Sequence, residues 1–305
     1  MSSAHASPLR AVLYALTANF GIFVAKAASA TITGSSAMLA EAIHSLADCG
    51  NQALLLLGMR EAKRPPTPDH PLGYGKVVYF WAFLVSVMLF TVGGAFSVYE
   101  GWHKLSQPEP LRWPAIAIGV LSVATLLEIG SLLGAVREIR KIAHGRTLWR
   151  FFRESRNSEL VVILGEDVAA LAGLVIALVA VCVALATGNP AFDAIGSMAV
   201  GALLIVVAVL LAVEIKGMIT GHSADREVEG RIRAYVEGQP EVAQLLSLLT
   251  LQLGDDIMVA TKALMRETSD AQRLLADVNR VEAGLRAAFP AVRWSFFEPD
   301  VGSGL

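Results

Sequence analysis

Between Ser36 and Gly58 an otherwise apolar run carries Glu41, His44, Asp48, Asn51 and Gln52. On an α-helix this spacing puts all five along one face. His44 and Asp48 stand one turn apart and can clasp a divalent cation between an imidazole nitrogen and a carboxylate. An ionisable side chain inside a bilayer costs at least about 2.5–3.5 kcal/mol, so a row of them suggests a water-lined or ion-binding interior. The alternative is a set of hydrogen bonds gluing helices together. Glue suits a lone Asn or Gln; Glu, His and Asp on one stripe favour ion binding. A second interruption lies in VVILGEDVAALAG, where Glu166 and Asp167 are adjacent. Neighbours on a helix point about 100° apart, so at most one of them faces a given partner squarely. Joined to His44 and Asp48, Asp167 completes a set of one imidazole and two carboxylates, doubly negative when the histidine is neutral. A divalent cation cancels that charge, and protons restore part of the balance when it leaves. Such a set links metal binding to proton release, the chemistry of a metal/proton exchanger.

Other polar groups at membrane depth read more simply. Glu128 fits either a proton path or packing against Lys26 or a hydroxyl. Asn19 and Lys26 read as structural. Asp193 stands where a helix should start and reads as its cap. Asp69 and His70 could hold metal weakly, with no third ligand near in sequence. His222 stands alone and reads as structural.

These groups must be carried by membrane elements. The chain has 305 residues, 54% hydrophobic and 17% charged, against about 25% charged for a soluble domain. A net charge of −2 argues against a nucleic-acid partner. Cys49 and Cys182 lie in apolar runs and suit neither a disulfide framework nor a zinc site. No nucleophile–base pair or phosphate-cradling glycine loop points to an enzyme, and no cofactor is implied. Six apolar segments of roughly bilayer length run at 11–30, 37–58, 77–99, 115–136, 160–186 and 191–213. The connections after the second and fourth hold eleven Lys and Arg; the other three hold only Lys104 and Arg112. This asymmetry places both termini in the cytoplasm. Trp102 and Trp113 flank an outer loop as interfacial aromatics do. The start, MSSAHASPLR, has neither a cleavable-signal layout nor the basic content of a mitochondrial presequence, so a bacterial inner (plasma) membrane is the expected location.

From about residue 221 the chain turns polar. A helix at 226–237, strands at 246–253 and 257–264 around the turn Gly254-Asp255-Asp256, a helix at 269–289 capped by Ser269, and a strand at 292–297 make an αββαβ order. The expected fold is therefore α-helical: six transmembrane helices in a transport domain over 1–220, then a small cytoplasmic α+β, ferredoxin-like domain over 221–305.

The strings AEAIHSLADCGNQALLLLG, TPDHPLGYGK, VVILGEDVAALAG and GNPAFDAIGS, in this order, resemble the cation diffusion facilitator family, in particular its zinc-transporter-nine-like subgroup. The resemblance covers nearly the whole chain. It implies a homodimeric antiporter in the lipid bilayer that exports a divalent metal, zinc or a similar ion, for protons by alternating access. It also implies a site between the second and fifth spans, with two ligands a turn apart on each. His44, Asp48 and Asp167 match three of them. The fourth position is Ile163, a hydrocarbon, which leaves the role to Glu166, Asn51, water or nothing and leaves manganese, cobalt, iron or magnesium open beside zinc. Some relatives carry a histidine-rich site in the soluble domain; here the last strand offers only Glu298 and Asp300. Tyr74 stands where some relatives have a second loop histidine. The implied soluble domain therefore dimerises without a strong metal switch. A non-transporting membrane regulator of the same fold, acting through that domain, is the alternative.

Overall fold

The computed structural model describes residues 8–107, 113–142, 145, 147–267 and 270–300. Arg112, Arg146 and the expected cap Ser269 lie outside them. The chain divides into two compact units. One draws on Met1–Arg60, Phe80–Arg153 and Ser158–Lys216; the other on Glu61–Tyr79, Glu154–Asn157 and Gly217–Leu305.

The first unit is helical. Its long elements are α1 (Pro8–Thr33), α2 (Ser36–Ala62), α3 (Val77–Ser106), α4 (Pro114–Ile142), α6 (Ser158–Thr187) and α7 (Ala191–Thr220). A short helix, α5 (Leu148–Glu154), buries Phe151 and Phe152 and is not apparent from periodicity. Among the described residues four helices, α3, α4, α6 and α7, are long and apolar enough to cross a membrane. α2 has the length as well, at 27 residues, but its polar stripe lowers its average hydrophobicity. The helices outrun the apolar segments, because the hydrogen-bond ladder does not end where apolar side chains stop; caps and breakers end it.

Close packing comes from small residues. A Cβ on Gly94 would sit 3.1 Å from the Gly201 carbonyl oxygen, and one on Gly201 would sit 2.6 Å from that of Gly94. Ser197 Oγ donates to the Ser97 carbonyl at 2.9 Å on the same seam. α3 and α7 thus touch backbone to backbone, the mode that holds helices together where lipid gives no hydrophobic drive. Leu89–Ala95, around Gly93 and Gly94, winds as a π-helix within α3.

The second unit contains α8 (Arg226–Glu237), β1 (Val242–Leu253), β2 (Asp256–Met265), α9 (Ala271–Ala288) and β3 (Val292–Asp300). The sheet order is β1-β2-β3, antiparallel then parallel. Ile232, Val236, Val259, Val281 and Leu285 form its core between helices and sheet. Asp270, the residue after the expected cap, accepts from Gln272 N–H at 2.9 Å and caps α9. The turn at Gly254 requires its φ of 70°. β1 starts at Val242, before its hydrophobic run, because it pairs with β2 as far as Met265.

His222 belongs to this unit. Arg156 Nη1 lies 2.7 Å from its Nδ1 and, as a donor only, fixes that nitrogen as the acceptor. Burial, and then the Arg156 charge, hold His222 below the ordinary imidazole value of 6.5. The folded chain therefore disfavours the protonated ring. Its contribution to stability is fully present above about pH 6.5 and is lost as pH falls from there through the lowered folded value. Melting of the full chain between pH 8 and 5 should show this loss, and His222→Gln should flatten it.

Candidate metal centre

α1 and α2 form a hairpin about Gly34 and Ser35, which is pinned at its end. Ser35 Oγ donates to Asp193 Oδ1 at 2.6 Å; Ser36 N–H and Oγ donate to Asp193 Oδ2 at 2.7 and 2.9 Å. Ser35 Oγ also accepts from Met38 N–H at 3.1 Å. Asp193 is a cap, as its position suggests, but it caps α2 rather than its own helix. Only packing of α7 against the hairpin reveals that. Lys104 Nζ donates to the Gly34 carbonyl and ties α3 to the same turn.

Below that turn α2 faces α6. Asn51 Nδ2 donates to Glu166 Oε1 at 2.5 Å, and a Cβ on Gly173 would lie 2.7 Å from Glu41 Oε1. These two contacts run in opposite chain directions, so the helices are antiparallel here. They bracket His44 and Asp48 on one side and Asp167 on the other, in a single layer. His44 Nδ1 is 3.6 Å from Asp48 Oδ1, too long for a hydrogen bond. Asp48 lies within electrostatic reach of Glu166 and Asp167, and Glu128 of α4 within reach of Asp48 and Asp167. Ile163 is half-buried and contributes no donor.

Both ring nitrogens of His44, together with Asp48 Oδ1, Asn51 Oδ1, Gln52 Oε1, Asp167 Oδ2 and Glu41 Oε1, are buried without a hydrogen-bond partner. Buried polar atoms are normally paired, each unpaired one costing about 1–3 kcal/mol. Seven on facing surfaces of two helices make a polar interior whose lone pairs suit a cation or protons. Among the described residues no three His, Cys, Asp or Glu side chains close to the distances of a metal shell. Glu166 and Asn51 satisfy one another, the gluing role, while Asn51 keeps a free carbonyl oxygen toward the layer.

The other candidates are occupied differently. The His70 ring stacks on Tyr74 at 4.4 Å, and its backbone pairs with Thr67 in a tight turn. Glu298 and Asp300 bracket Lys262 at 3.5 and 2.7 Å. The hydrogen bond to Asp300, foremost, raises the Lys262 ammonium above its ordinary value. One pairing goes unnoticed in the sequence: Lys26 Nζ donates to Glu41 Oε2 at 3.1 Å and to Ser45 Oγ at 2.8 Å. A signal for it exists, since Lys26 and Glu41 flank the Gly34 turn at nearly equal separations and a hairpin sets them at one depth.

The family model described as "Cation efflux transmembrane domain" matches residues 12–218. The chain belongs to the cation efflux, or cation diffusion facilitator, family. Its relatives place it in the zinc-transporter-nine-like subgroup. It is 35% identical over 224 residues, 73% of this chain and 40% of the relative, to "Proton-coupled zinc antiporter SLC30A9, mitochondrial" of Mus musculus. It is 34% identical over 249 residues, 81% of this chain and 44% of the relative, to the protein of that name from Xenopus laevis. To "Zinc transporter ZitB" of Pectobacterium atrosepticum it is 26% identical over 263 residues, 86% of this chain and 77% of the relative. The chain thus spans about two fifths of the length of the SLC30A9 proteins it matches. The expected bacterial plasma-membrane location is corrected here, because the relatives that carry the subgroup assignment are named as mitochondrial. A short, basic-poor start, on which that expectation rests, says little about where a membrane protein resides.

Proposed function

We propose that the chain is a divalent cation/proton antiporter, with zinc as the foremost substrate, working by alternating access about the layer between α2 and α6. His44, Asp48 and Asp167 are the ligands, and Asn51 and Glu166 shape the layer and can add an oxygen. The observation that carries this reading is the set of buried, unpartnered donor atoms on facing surfaces of the two helices. The names of the relatives, two of them proton-coupled zinc antiporters, support it. Zinc accepts imidazole nitrogen and carboxylate oxygen at about 2.0–2.2 Å, so binding requires Asp167 to close on His44 and Asp48. Ligands must be deprotonated to bind, so arrival of metal expels protons and its departure lets them return. A site that opens to one side at a time converts that linkage into exchange.

Six spans, a ferredoxin-like soluble domain and a homodimer joined through that domain complete the proposal. The subgroup relatives' names carry a mitochondrial membrane to this chain as its location.

Reconstituted vesicles test the proposal. An imposed pH gradient should drive zinc uptake, and a protonophore should stop it. Uptake that ignores the gradient would sink the antiport reading. The half-buried Ile163 favours a second reading, a non-transporting regulator; that reading requires no gradient-driven uptake of any metal. Under the transport reading Ile163→His adds an imidazole one turn before Asp167. It should tighten zinc binding by about tenfold or more, read by competition with a chelating dye.

A further inference from the structure

Glu41 belongs to the same stripe as His44 and Asp48, yet it is held by a partner that the proposed exchange does not use. Lys26 of α1 is 3% exposed and Glu41 fully buried. Their 3.1 Å contact occupies Glu41 Oε2, and the ammonium also donates to Ser45 Oγ at 2.8 Å. The remaining oxygen, Oε1, has no hydrogen-bond partner and points at the Gly173 backbone on the helix that carries Asp167. The ammonium also lies within electrostatic reach of His44, Asp48 and Glu128. A carboxylate one turn from His44, on the stripe that lines the layer, would be a natural further ligand. An ammonium bonded to it both neutralises it and fixes its rotamer.

We infer that Lys26 is a specificity-determining residue: by holding Glu41 in an ion pair it keeps a third carboxylate out of the metal's donor set. The inference rests on the metal site proposed above. With Glu41 masked, the set is one imidazole and two carboxylates, which a borderline ion such as zinc accepts. With Glu41 released, the set gains a hard oxygen, and oxygen-rich sets favour manganese or magnesium. Lys26 acts through Glu41 and does not touch the ion.

The test is equilibrium binding of zinc(II) and manganese(II), each alone, to the purified full chain. Lys26→Met should raise manganese affinity relative to zinc by about tenfold or more. Lys26→Met with Glu41→Gln should return the ratio to that of the wild type, because no carboxylate remains to be released. Lys26→Arg keeps the charge and should keep the ratio. A Lys26→Met protein with the wild-type ratio, or a double variant that retains the shift, overturns the inference. Lys26→Met alone leaves a buried charge unpaired and risks misfolding. Glu41→Gln by itself covers that case: the affinities for the two ions should move together, and a tenfold change in their ratio overturns the inference. Failure of the underlying site looks different. There the wild type binds neither ion, or Asp48→Asn leaves binding unchanged, whatever happens at Lys26.

Discussion

Asp48→Asn and Asp167→Asn should each lower gradient-driven zinc flux by at least about 100-fold, while the proteins melt no lower than the wild type. Both expectations come from one feature. Asp48 Oδ1 and Asp167 Oδ2 are buried with no hydrogen-bond partner, so each carboxylate burdens the fold without metal or protons. Asparagine keeps the shape and removes the charge, which relieves desolvation and the repulsion between carboxylates in the layer. The same change removes an anionic ligand and a proton acceptor, and with them both halves of the exchange. A residue kept at a cost to stability is the mark of a working site rather than of glue. Flux in vesicles together with a melting curve in detergent separates the two roles. Wild-type flux from either variant would remove that residue from the site.

Asp193→Ala should do the reverse: destabilise by about 3–5 kcal/mol, with any loss of flux following from misfolding. Asp193 is 3% exposed and accepts three hydrogen bonds from Ser35 and Ser36. Truncation leaves the protons of two hydroxyls and the first backbone N–H of α2 buried without an acceptor, and it removes an anion from a helix N-terminus where the dipole favours one. Asp193→Asn keeps acceptor capacity and should lose less. Thermal melting in one detergent, with zinc absent, reads both variants. A melting temperature for Asp193→Ala equal to the wild type would show that the cap contributes nothing.

Three aspartates in apolar sequence thus stand in opposite surroundings, Asp48 and Asp167 with unpartnered oxygens and Asp193 with three hydrogen bonds, and sequence alone sorts them only in part. The stripe on α2 is legible because a 3.6-residue period puts Glu41, His44, Asp48 and Asn51 on one face whatever the surroundings. The αββαβ order is legible too, since alternation and the Gly254 turn are local signals. What stays hidden depends on which helices touch. Asp193 looks like the cap of its own helix and serves another, and Lys26 looks like bulk structure and pairs with Glu41. Asn51 and Glu166 can be offered as ligands from their types alone; their mutual hydrogen bond exists only through the antiparallel packing of α2 on α6. The π-helix at Leu89–Ala95 leaves no trace in hydrophobic periodicity beyond its two glycines.

Where the cation sits decides whether the layer between α2 and α6 is a transport site. Anomalous difference density from crystals of the full chain soaked in zinc is the most direct measurement. It should give one strong peak between α2 and α6, about 2.0–2.2 Å from a His44 ring nitrogen and from oxygens of Asp48 and Asp167. A peak bound only elsewhere, at His70 or His222 with the α2–α6 layer bare, would contradict it.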